Sequence, residues 1–397
     1  MACEACGRYF GRSRCISYCW QSHCRRALLR RFFPGVAILA VVVLFLTISI
    51  LKNLVLDTRC KSALDVDHDS EDRTNKTPQV IALRIFSERY RHLFKENTEM
   101  FFKHLRRLTE TEWKPHNKTI CDFRDSLRAV LGEEGSIRNF LLTKTNVPRD
   151  SRMCFYMYGN IQAFPPALWE CLPKNEIYKP GQFASCSVVG SSGILRGSRC
   201  GKEIDQPQAV FRFNLAPTKG FEEDVGRKTN FTTLNPSFVR NKLNSLKTQD
   251  DQTRFGNVLE QFKDSYLWLP AFSVAADISI VTQTAQFAVN SKIVWPILGH
   301  PEHFLSVSTM WRTMSKTKHT WASSGLYLIL SLVDVCDRIH VFGFWPYTTT
   351  INGSDVPYHY HNDISAMTNV HNFDTEFKSL VHLYEQGIIN MHLGPCI

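Results

Sequence analysis

Histidines near the C-terminal end of the chain have the types and spacing that proton transfer needs. The run 358–363, Tyr-His-Tyr-His-Asn-Asp, is followed by His371 and, five residues later, by Glu376. Histidine titrates near neutral pH, so His359 and His371 could act as a general base or as a donor to a phosphate. Zinc binding is the competing interpretation, because alternation on an extended segment would place His359 and His361 on one face with Asp363 close by.

Two segments rich in glycine and serine have the form of anion-binding turns. In residues 186–197 a short β-run leads into Gly-Ser-Ser-Gly, where the backbone could approach a phosphate or a sugar. In residues 322–325, Ala-Ser-Ser-Gly opens an apolar helix whose first amides would be unpaired. A purely structural turn and plain serine N-capping are the alternatives. A dinucleotide site is disfavoured, because the next β-run ends in Arg212 and Asn214 and lacks the acidic residue that holds a ribose.

Paired aspartates, a common ligand pattern for Mg²⁺ or Mn²⁺, occur in one place. They are Asp65-Val66-Asp67 and the overlapping Asp67-His68-Asp69, within a polar and acidic stretch. A solvated acidic run explains them, so we predict no metal site.

Short β-rich runs alternate with helical runs from Ser187 onward, and we find no internal repeat. The predicted strands are Ser187–Val189, Ala209–Phe213, Phe231–Leu234, Tyr266–Leu269, Lys292–Trp295 and Arg338–Phe342. The predicted helices are Phe304–Met314, Ser324–Cys336 and Glu376–Gln386. This alternation predicts a Rossmann-like α/β fold with a largely parallel sheet flanked by helices.

Composition and charge limit the class of protein. The 397-residue chain is 44% hydrophobic and 21% charged, which excludes a disordered or fibrous protein. Its net charge of +10 is uneven, because residues 1–31 hold seven Arg against one Glu and so account for +6. The small remaining surplus does not indicate a nucleic-acid-binding surface.

Residues 32–51 are uncharged and rich in Val, Ile and Leu. As a helix of about 30 Å this stretch would span a bilayer, so we predict a transmembrane signal anchor. A buried core helix would show a polar face, and a cleaved signal peptide would be followed by small residues. Basic residues precede the stretch and acidic residues dominate 52–72, so the positive-inside rule makes 1–31 a cytosolic tail and places the remainder in the lumen or outside the cell.

Two further regions follow the predicted anchor. Residues 52–120 are predicted to form a stem, which is polar up to about residue 78 and then carries one or two amphipathic helices. These helices could pack on the main domain or associate into a homodimer. Residues 121–397 are predicted to form one globular domain.

Four segments together resemble the sialyltransferases, glycosyltransferase family 29, and specifically their α2,8 branch. Residues 186–237 are similar to the large sialyl motif of that family, and 323–346 to the small motif. Residues 358–362 resemble the third motif, and His371-x4-Glu376 resembles the very small motif. The resemblance covers about residues 150–397, and it implies a GT-A-like variant of the predicted fold.

The resemblance implies a single-pass type II protein of the Golgi membrane. Its members transfer sialic acid from CMP-sialic acid to a sialylated glycoprotein or glycolipid acceptor, with inversion and without a metal or other cofactor. His371 would be the general base, and His359 would face the CMP phosphate. The donor-binding residues that the resemblance implies are Ser191, Asn214, Ser323, Ser324, Gly325, Trp345, Pro346, Tyr347, Tyr358 and His359.

Some positions depart from the family pattern. Ser191 stands where the family has Asn, and Asn362 stands where it has Asp, with a carboxylate displaced to Asp363. Two alternatives therefore stay open. One is a catalytically silent relative that binds sialylated glycans or another transferase, and the other is a metal-dependent glycosyltransferase.

Cysteines and sequons complete the predicted site residues. The resemblance implies the disulfides Cys186–Cys336 and Cys200–Cys396; we also predict Cys154 with Cys171, and Cys60 could link two protomers. Sequons headed by asparagine lie on the predicted lumenal side, where glycosylation is expected, at Asn75, Asn117, Asn230 and Asn352.

Overall fold

The structure is a computed structural model. It describes residues 98–132, 136–157, 159–315, 317, 320–362 and 371–396, together with five helical residues between 43 and 51. The chain divides into two compact units, Met1–Arg59 and Cys60–Ile397. The predicted tail, most of the predicted anchor and residues 52–97 of the predicted stem lie outside the described residues. Within the described part of the chain, no helix is both long and apolar enough to cross a membrane.

A seven-stranded sheet forms the centre of the larger unit. Its strands are β3 Cys186–Val189, β4 Ala209–Arg212, β5 Phe231–Thr233, β6 Tyr266–Leu269, β7 Trp295–Leu298, β8 Ile339–Phe342 and β9 Asn390–His392. They lie in the order β7-β6-β5-β4-β3-β8-β9, and every neighbouring pair is parallel. The chain runs outward from β3 to β7 and then returns to place β8 on the other side of β3. The strand order therefore reverses between β3 and β8, where α/β folds bind ligands.

Helices cover the sheet, and a small hairpin lies apart from it. The hairpin strands are β1 Arg152–Phe155 and β2 Asn160–Ala163. The helices are α1 Thr98–Thr109, α2 Asn117–Leu131, α3 Pro166–Glu170, α4 Gly201–Asp205, α5 Glu222–Val225, α6 Pro236–Lys242, α7 Gln249–Leu259, α8 Ile278–Ser291, α9 Pro301–Ser315, α10 Ser324–Val335 and α11 Phe373–Glu385. Every residue of α10 from Leu326 to Val335 is buried, which explains its unbroken apolar sequence.

The predicted parallel α/β architecture is confirmed, and five of the six predicted strands agree with the structure to within one residue. The prediction of a strand over Lys292–Trp295 is wrong. Lys292 caps α8 in a left-handed conformation (φ 55°), so β7 begins only at Trp295. Pro296 lies inside β7, which is tolerated because β7 is an edge strand. Sequence analysis did not predict β9 or the hairpin strands β1 and β2.

Helices α1 and α2 belong to the packed domain. Phe101, Phe102 and Leu105 of α1 are buried in the same hydrophobic core as α10. Helix α2 crosses the boundary predicted between residues 120 and 121, and four of its residues enter that core. Helix α1, which belongs to the predicted amphipathic segment, therefore packs on the main domain.

Two disulfides tie distant parts of the domain together. Cys186, the first residue of β3, is bonded to Cys336 directly after α10, and Cys200 is bonded to Cys396 near the C-terminus. These are the pairs that the resemblance implies. The predicted Cys154–Cys171 pair is wrong, because Cys171 is a free thiol while Cys154 is disulfide-bonded. Cys60 lies outside the described residues.

Candidate active site

One cleft opens at the switch point between β3 and β8. Its walls come from the loops after β3, β4, β5 and β8, the start of α10, and α11 with the loop before it. The predicted residues that line it are Ser191, Asn214, Ser323, Ser324, Gly325, Trp345, Pro346, Tyr358, His359 and His371. Glu376, noted in the sequence for its spacing from His371, also lines it. Sequence analysis did not select the lining residues Phe213, Thr233, Asn235, Phe344, Phe373, Phe377 and Leu380. The folded chain thus brings together predicted residues that are up to 180 positions apart, from Ser191 to His371.

Glycines let the loops after β3 and β8 cross at close range. A Cβ on Gly190 would lie 2.3 Å from the Gly343 carbonyl oxygen, and one on Gly193 would lie 2.1 Å from the Pro357 carbonyl oxygen. The Ser192 hydroxyl donates to the Trp345 carbonyl at 3.0 Å and ties the same loops together. The Gly-Ser-Ser-Gly turn of residues 190–193 therefore lets the two loops pack closely, and it also shapes the cleft.

The N-terminus of α10 faces the cleft with two kinds of donor. Ser323 is the N-cap, and its hydroxyl accepts from the Leu326 amide at 3.2 Å while it donates to Glu376. The Ser323 hydroxyl therefore already has a partner as donor and a partner as acceptor. The amides of Ser324 and Gly325 have no acceptor within the helix, and Ser324 adds a hydroxyl at the same point.

His371 is held in one tautomer. Its Nδ1 lies 2.9 Å from the Trp321 carbonyl oxygen, and because a carbonyl only accepts, Nδ1 carries the proton. Its Nε2 is left with the lone pair that can take a proton. Burial lowers the pKa of His371, and the hydrogen bond to Trp321 partly opposes that shift. A neutral imidazole with a free Nε2 is the form that a general base requires.

Glu376 binds the same short segment, Trp321 to Ser323, that binds His371. One of its oxygens accepts from the Ser323 amide at 2.8 Å, and the other is hydrogen-bonded to the Ser323 hydroxyl. Ser323 lies two residues after Trp321, whose carbonyl binds His371. Burial raises the pKa of Glu376 to about 7, against the effect of the two hydrogen bonds. The spacing of five residues after His371 was visible in the sequence, but the partner 53 residues away was not.

His359 also lines the cleft, and its environment differs from that of His371. Its Nδ1 donates to the Asn362 amide oxygen at 3.0 Å. Burial lowers the pKa of His359, and this hydrogen bond opposes the shift. The ring of His361 stacks on it with 5.0 Å between centroids, and His361 does not line the cleft.

Among the described residues, no third potential zinc ligand lies close to His359 and His361. Glu203, His392 and Cys396 form the group of potential ligands found there, and Cys396 is already in a disulfide. Asp363, the third residue of the zinc interpretation, lies outside the described part of the chain.

Asn214 is oriented by its neighbours. Its side-chain oxygen accepts from the Asn235 amide at 3.1 Å, which leaves the side-chain NH₂ as a donor in the cleft. Its backbone is left-handed, with φ of 50°, a conformation that Asn adopts more readily than most residues. The preceding Arg212 is buried with Asp205 and the Lys228 carbonyl, so it serves the structure of the strand.

Tyr347 does not line the cleft, unlike the other predicted donor-binding residues. Its hydroxyl donates to Asp374 at 2.7 Å, and its ring packs against Phe102 at 5.0 Å between centroids. Tyr347 therefore packs outside the cleft, beside the contact between α1 and the cleft residue Trp345.

Three of the four sequons lie among the described residues. Asn117, Asn230 and Asn352 are all exposed. The side-chain oxygen of Asn230 accepts from the Val210 amide at 2.9 Å, so its conformation is restricted. Asn75 lies outside the described residues.

A parallel sheet with a cleft at its switch point is the arrangement in which open α/β folds bind ligands. Comparison with known proteins makes this specific: residues 139–388 match the model of glycosyltransferase family 29 (sialyltransferase). The chain belongs to this family and is a sialyltransferase enzyme.

Individual relatives are similar over most of the chain. Alpha-2,8-sialyltransferase 8F of Mus musculus is 29% identical over 297 residues, which is 74% of this chain and 74% of that protein. Alpha-2,8-sialyltransferase 8E of Homo sapiens is 30% identical over 259 residues, 64% of this chain and 68% of that protein. A crystal structure of a mammalian sialyltransferase aligns with a TM-score of 0.40 and 21% identity, over 83% of this chain and 88% of that one.

Proposed function

We propose that this enzyme transfers sialic acid from CMP-sialic acid, in α2,8 linkage, to a terminal sialic acid on a glycoprotein or glycolipid glycan. The proposed reaction is an inverting displacement that uses His371 as general base and requires no metal. The observation that carries it is the single cleft in which His371, His359 and the N-terminus of α10 meet.

The start of α10 suits the phosphate of the donor. The amides of Ser324 and Gly325 and the Ser324 hydroxyl can donate to phosphate oxygens, and the positive end of the helix dipole favours an anion. The Asn214 side-chain NH₂ supplies a further donor for the nucleotide. Because the Ser323 hydroxyl is occupied by Glu376, Ser323 contributes by shaping this end of the helix.

His371 supports deprotonation of the acceptor. In the proposed step the acceptor hydroxyl gives its proton to Nε2 of His371 while its oxygen bonds to the anomeric carbon of the donor. The bond from that carbon to the phosphate oxygen breaks, and its electron pair leaves with CMP. The hydrogen bond from Nδ1 to Trp321 keeps the ring oriented during this transfer.

His359 supports departure of the phosphate. Since its Nδ1 proton is used by Asn362, it can donate from Nε2 only when the ring is protonated. A cationic His359 would stabilise the charge that develops on the phosphate. An amide at residue 362 stabilises that cation less than a carboxylate would.

The acceptor and the cellular location rest on different observations. The α2,8 linkage is supported by the names of the relatives, two of which are given above. Type II membrane topology is supported by the uncharged residues 32–51 and the basic residues before them, and the Golgi assignment rests on the family resemblance.

One experiment tests the proposal directly. The full-length chain in detergent is incubated with CMP-sialic acid and either a sialylated oligosaccharide or the same oligosaccharide after sialidase treatment, with and without EDTA. We expect transfer only to the sialylated acceptor, an α2,8 linkage in the product, and the same rate in EDTA. Transfer to the desialylated acceptor alone would assign another linkage, and loss of activity in EDTA would contradict the metal-free mechanism.

A further inference from the structure

A second groove, separate from the cleft, is rich in side-chain amides. Gln252 of α7 and Gln283, Gln286 and Asn290 of α8 contribute four amides. Its volume is about 730 Å³, within the range of roughly 300–1,000 Å³ that is usual for ligand sites. Among the described residues that line it, Lys247 alone carries a charge.

The face of α8 in this groove has the chemistry of a sugar-binding surface. Gln283, Gln286, Phe287 and Asn290 follow the i, i+3, i+4, i+7 spacing that places side chains on one side of a helix. Each amide both donates and accepts, as sugar hydroxyls do. Phe287 packs against Phe255 at 5.1 Å and gives an apolar floor between the amides. With no carboxylate in the lining, the groove does not suit a cation.

A strained turn forms the lip of the groove. Asn244, Ser245 and Leu246 have successive φ values of 47°, 57° and 57°, although none is glycine. Left-handed backbone costs such residues about 1–2 kcal/mol each, and strain of this kind clusters at functional sites. The Asn244 side chain donates to buried Asp251 at 3.1 Å, which holds the turn in place.

One short helix connects the groove with the cleft. Asn235, which lines the cleft, is the N-cap of α6, and α6 ends at Lys242 just before the strained turn. Seven residues of helix extend about 10 Å. Along the chain, one short helix and one turn therefore separate a residue of the cleft from the groove.

We propose that the groove binds neutral sugar residues of the acceptor glycan that lie beyond the reacting terminus. This inference rests on the proposed function, because it takes the acceptor to be a glycan. The groove would then select long acceptors over short ones through the Michaelis constant.

The test compares two acceptors that share a terminus. Sialyllactose is the short acceptor, and a sialylated biantennary N-glycan released from protein is the long one. The full-length variants Gln283→Ala with Gln286→Ala, and Asn290→Ala, are compared with Asn257→Ala, an exposed amide on α7 outside the groove. We expect the groove variants to raise KM for the long acceptor about five- to tenfold, with kcat and the KM for sialyllactose unchanged. The control should match the native chain.

Other outcomes separate the two proposals. Unchanged KM for the long acceptor in the groove variants would overturn the groove assignment while leaving the proposed function intact. An effect seen only when the glycan is still attached to its protein would also overturn it and would assign the groove to polypeptide. If the native chain transfers to neither acceptor, the proposed function fails, and the groove is then tested by calorimetric titration of the desialylated N-glycan, with no binding counting against it.

Discussion

At the residue scale, His371 is the group on which the proposed chemistry depends. Replacing it with Ala removes the proton acceptor but leaves the α10 amides and Asn214 in the cleft. We expect kcat to fall about 10²- to 10⁴-fold, with CMP binding changed little, as measured by turnover and by titration with CMP. Normal turnover in His371→Ala would mean that another group is the base.

Glu376 acts as a positioning residue in this arrangement. Glu376→Ala should lower kcat at least tenfold, because Ser323 and Trp321 lose the contact that fixes them and His371 loses its orientation. Glu376→Gln should restore most of the activity, since its amide can donate to the Ser323 hydroxyl and accept from the Ser323 amide. An inactive Gln variant would instead indicate a role for the carboxyl proton.

The raised pKa of Glu376 also makes the free energy of unfolding depend on pH. Burial raises the pKa of Glu376 to about 7, whereas an unfolded glutamate titrates near about 4.3. Between these values the unfolded chain loses the proton first, so the free energy of unfolding should fall as pH rises from about 4.3 to about 7. Denaturation across this window should show a shallower slope for Glu376→Gln than for the native chain.

Asn362, which stands where the family has Asp, should influence the pH dependence of activity through His359. Burial lowers the pKa of His359, and the proposed donor must be protonated, so activity should be lost as pH rises through that lowered pKa. Asn362→Asp places a carboxylate at the Nδ1 proton and should raise this pKa, moving the alkaline limb of the pH–rate profile upward. An alkaline limb that does not move would contradict the assigned role of His359.

At the scale of elements, the crossing of the loops after β3 and β8 fixes the cleft. A methyl group on Gly190 would meet the backbone of Gly343 at 2.3 Å, and backbone on both sides leaves little room for adjustment. We expect Gly190→Ala to destabilise the fold by more than about 2 kcal/mol and to weaken donor binding. Gly394→Ala is the matched control, because a Cβ there has no neighbour within 4 Å. Thermal denaturation and CMP titration of the two variants check this.

At the scale of the whole molecule, the Cys186–Cys336 disulfide joins the two sides of the switch point. It closes a loop with a sequence separation of 150, for which chain entropy predicts about 5 kcal/mol of stabilisation. The double variant Cys186→Ala with Cys336→Ala should therefore unfold at a much lower denaturant concentration. Cys121→Ser, which replaces an exposed free thiol, should not differ from the native chain. Peptide mapping without reduction that found Cys186 free would contradict the pairing.

The sequence by itself determined the elements and the chemical types in the site. Short continuous apolar runs indicated the strands of the parallel sheet, because each strand is buried on both faces and its sequence is therefore apolar throughout. Sequence analysis could also identify the histidines, the serines at the start of α10 and the glycine turn as candidate site residues. Each of these motifs spans only a few residues, so it is visible without knowledge of the fold.

Only the tertiary structure decided which side chains those elements present to one another. Glu376 reaches Ser323 across 53 residues, and Tyr347 turns away from the cleft toward Asp374 and α1. Helix α1, which lies in the predicted stem, and helix α2, which crosses the predicted boundary, both enter the main core. These outcomes depend on contacts between segments far apart in the chain, and a local pattern of apolar and polar residues carries no information about them.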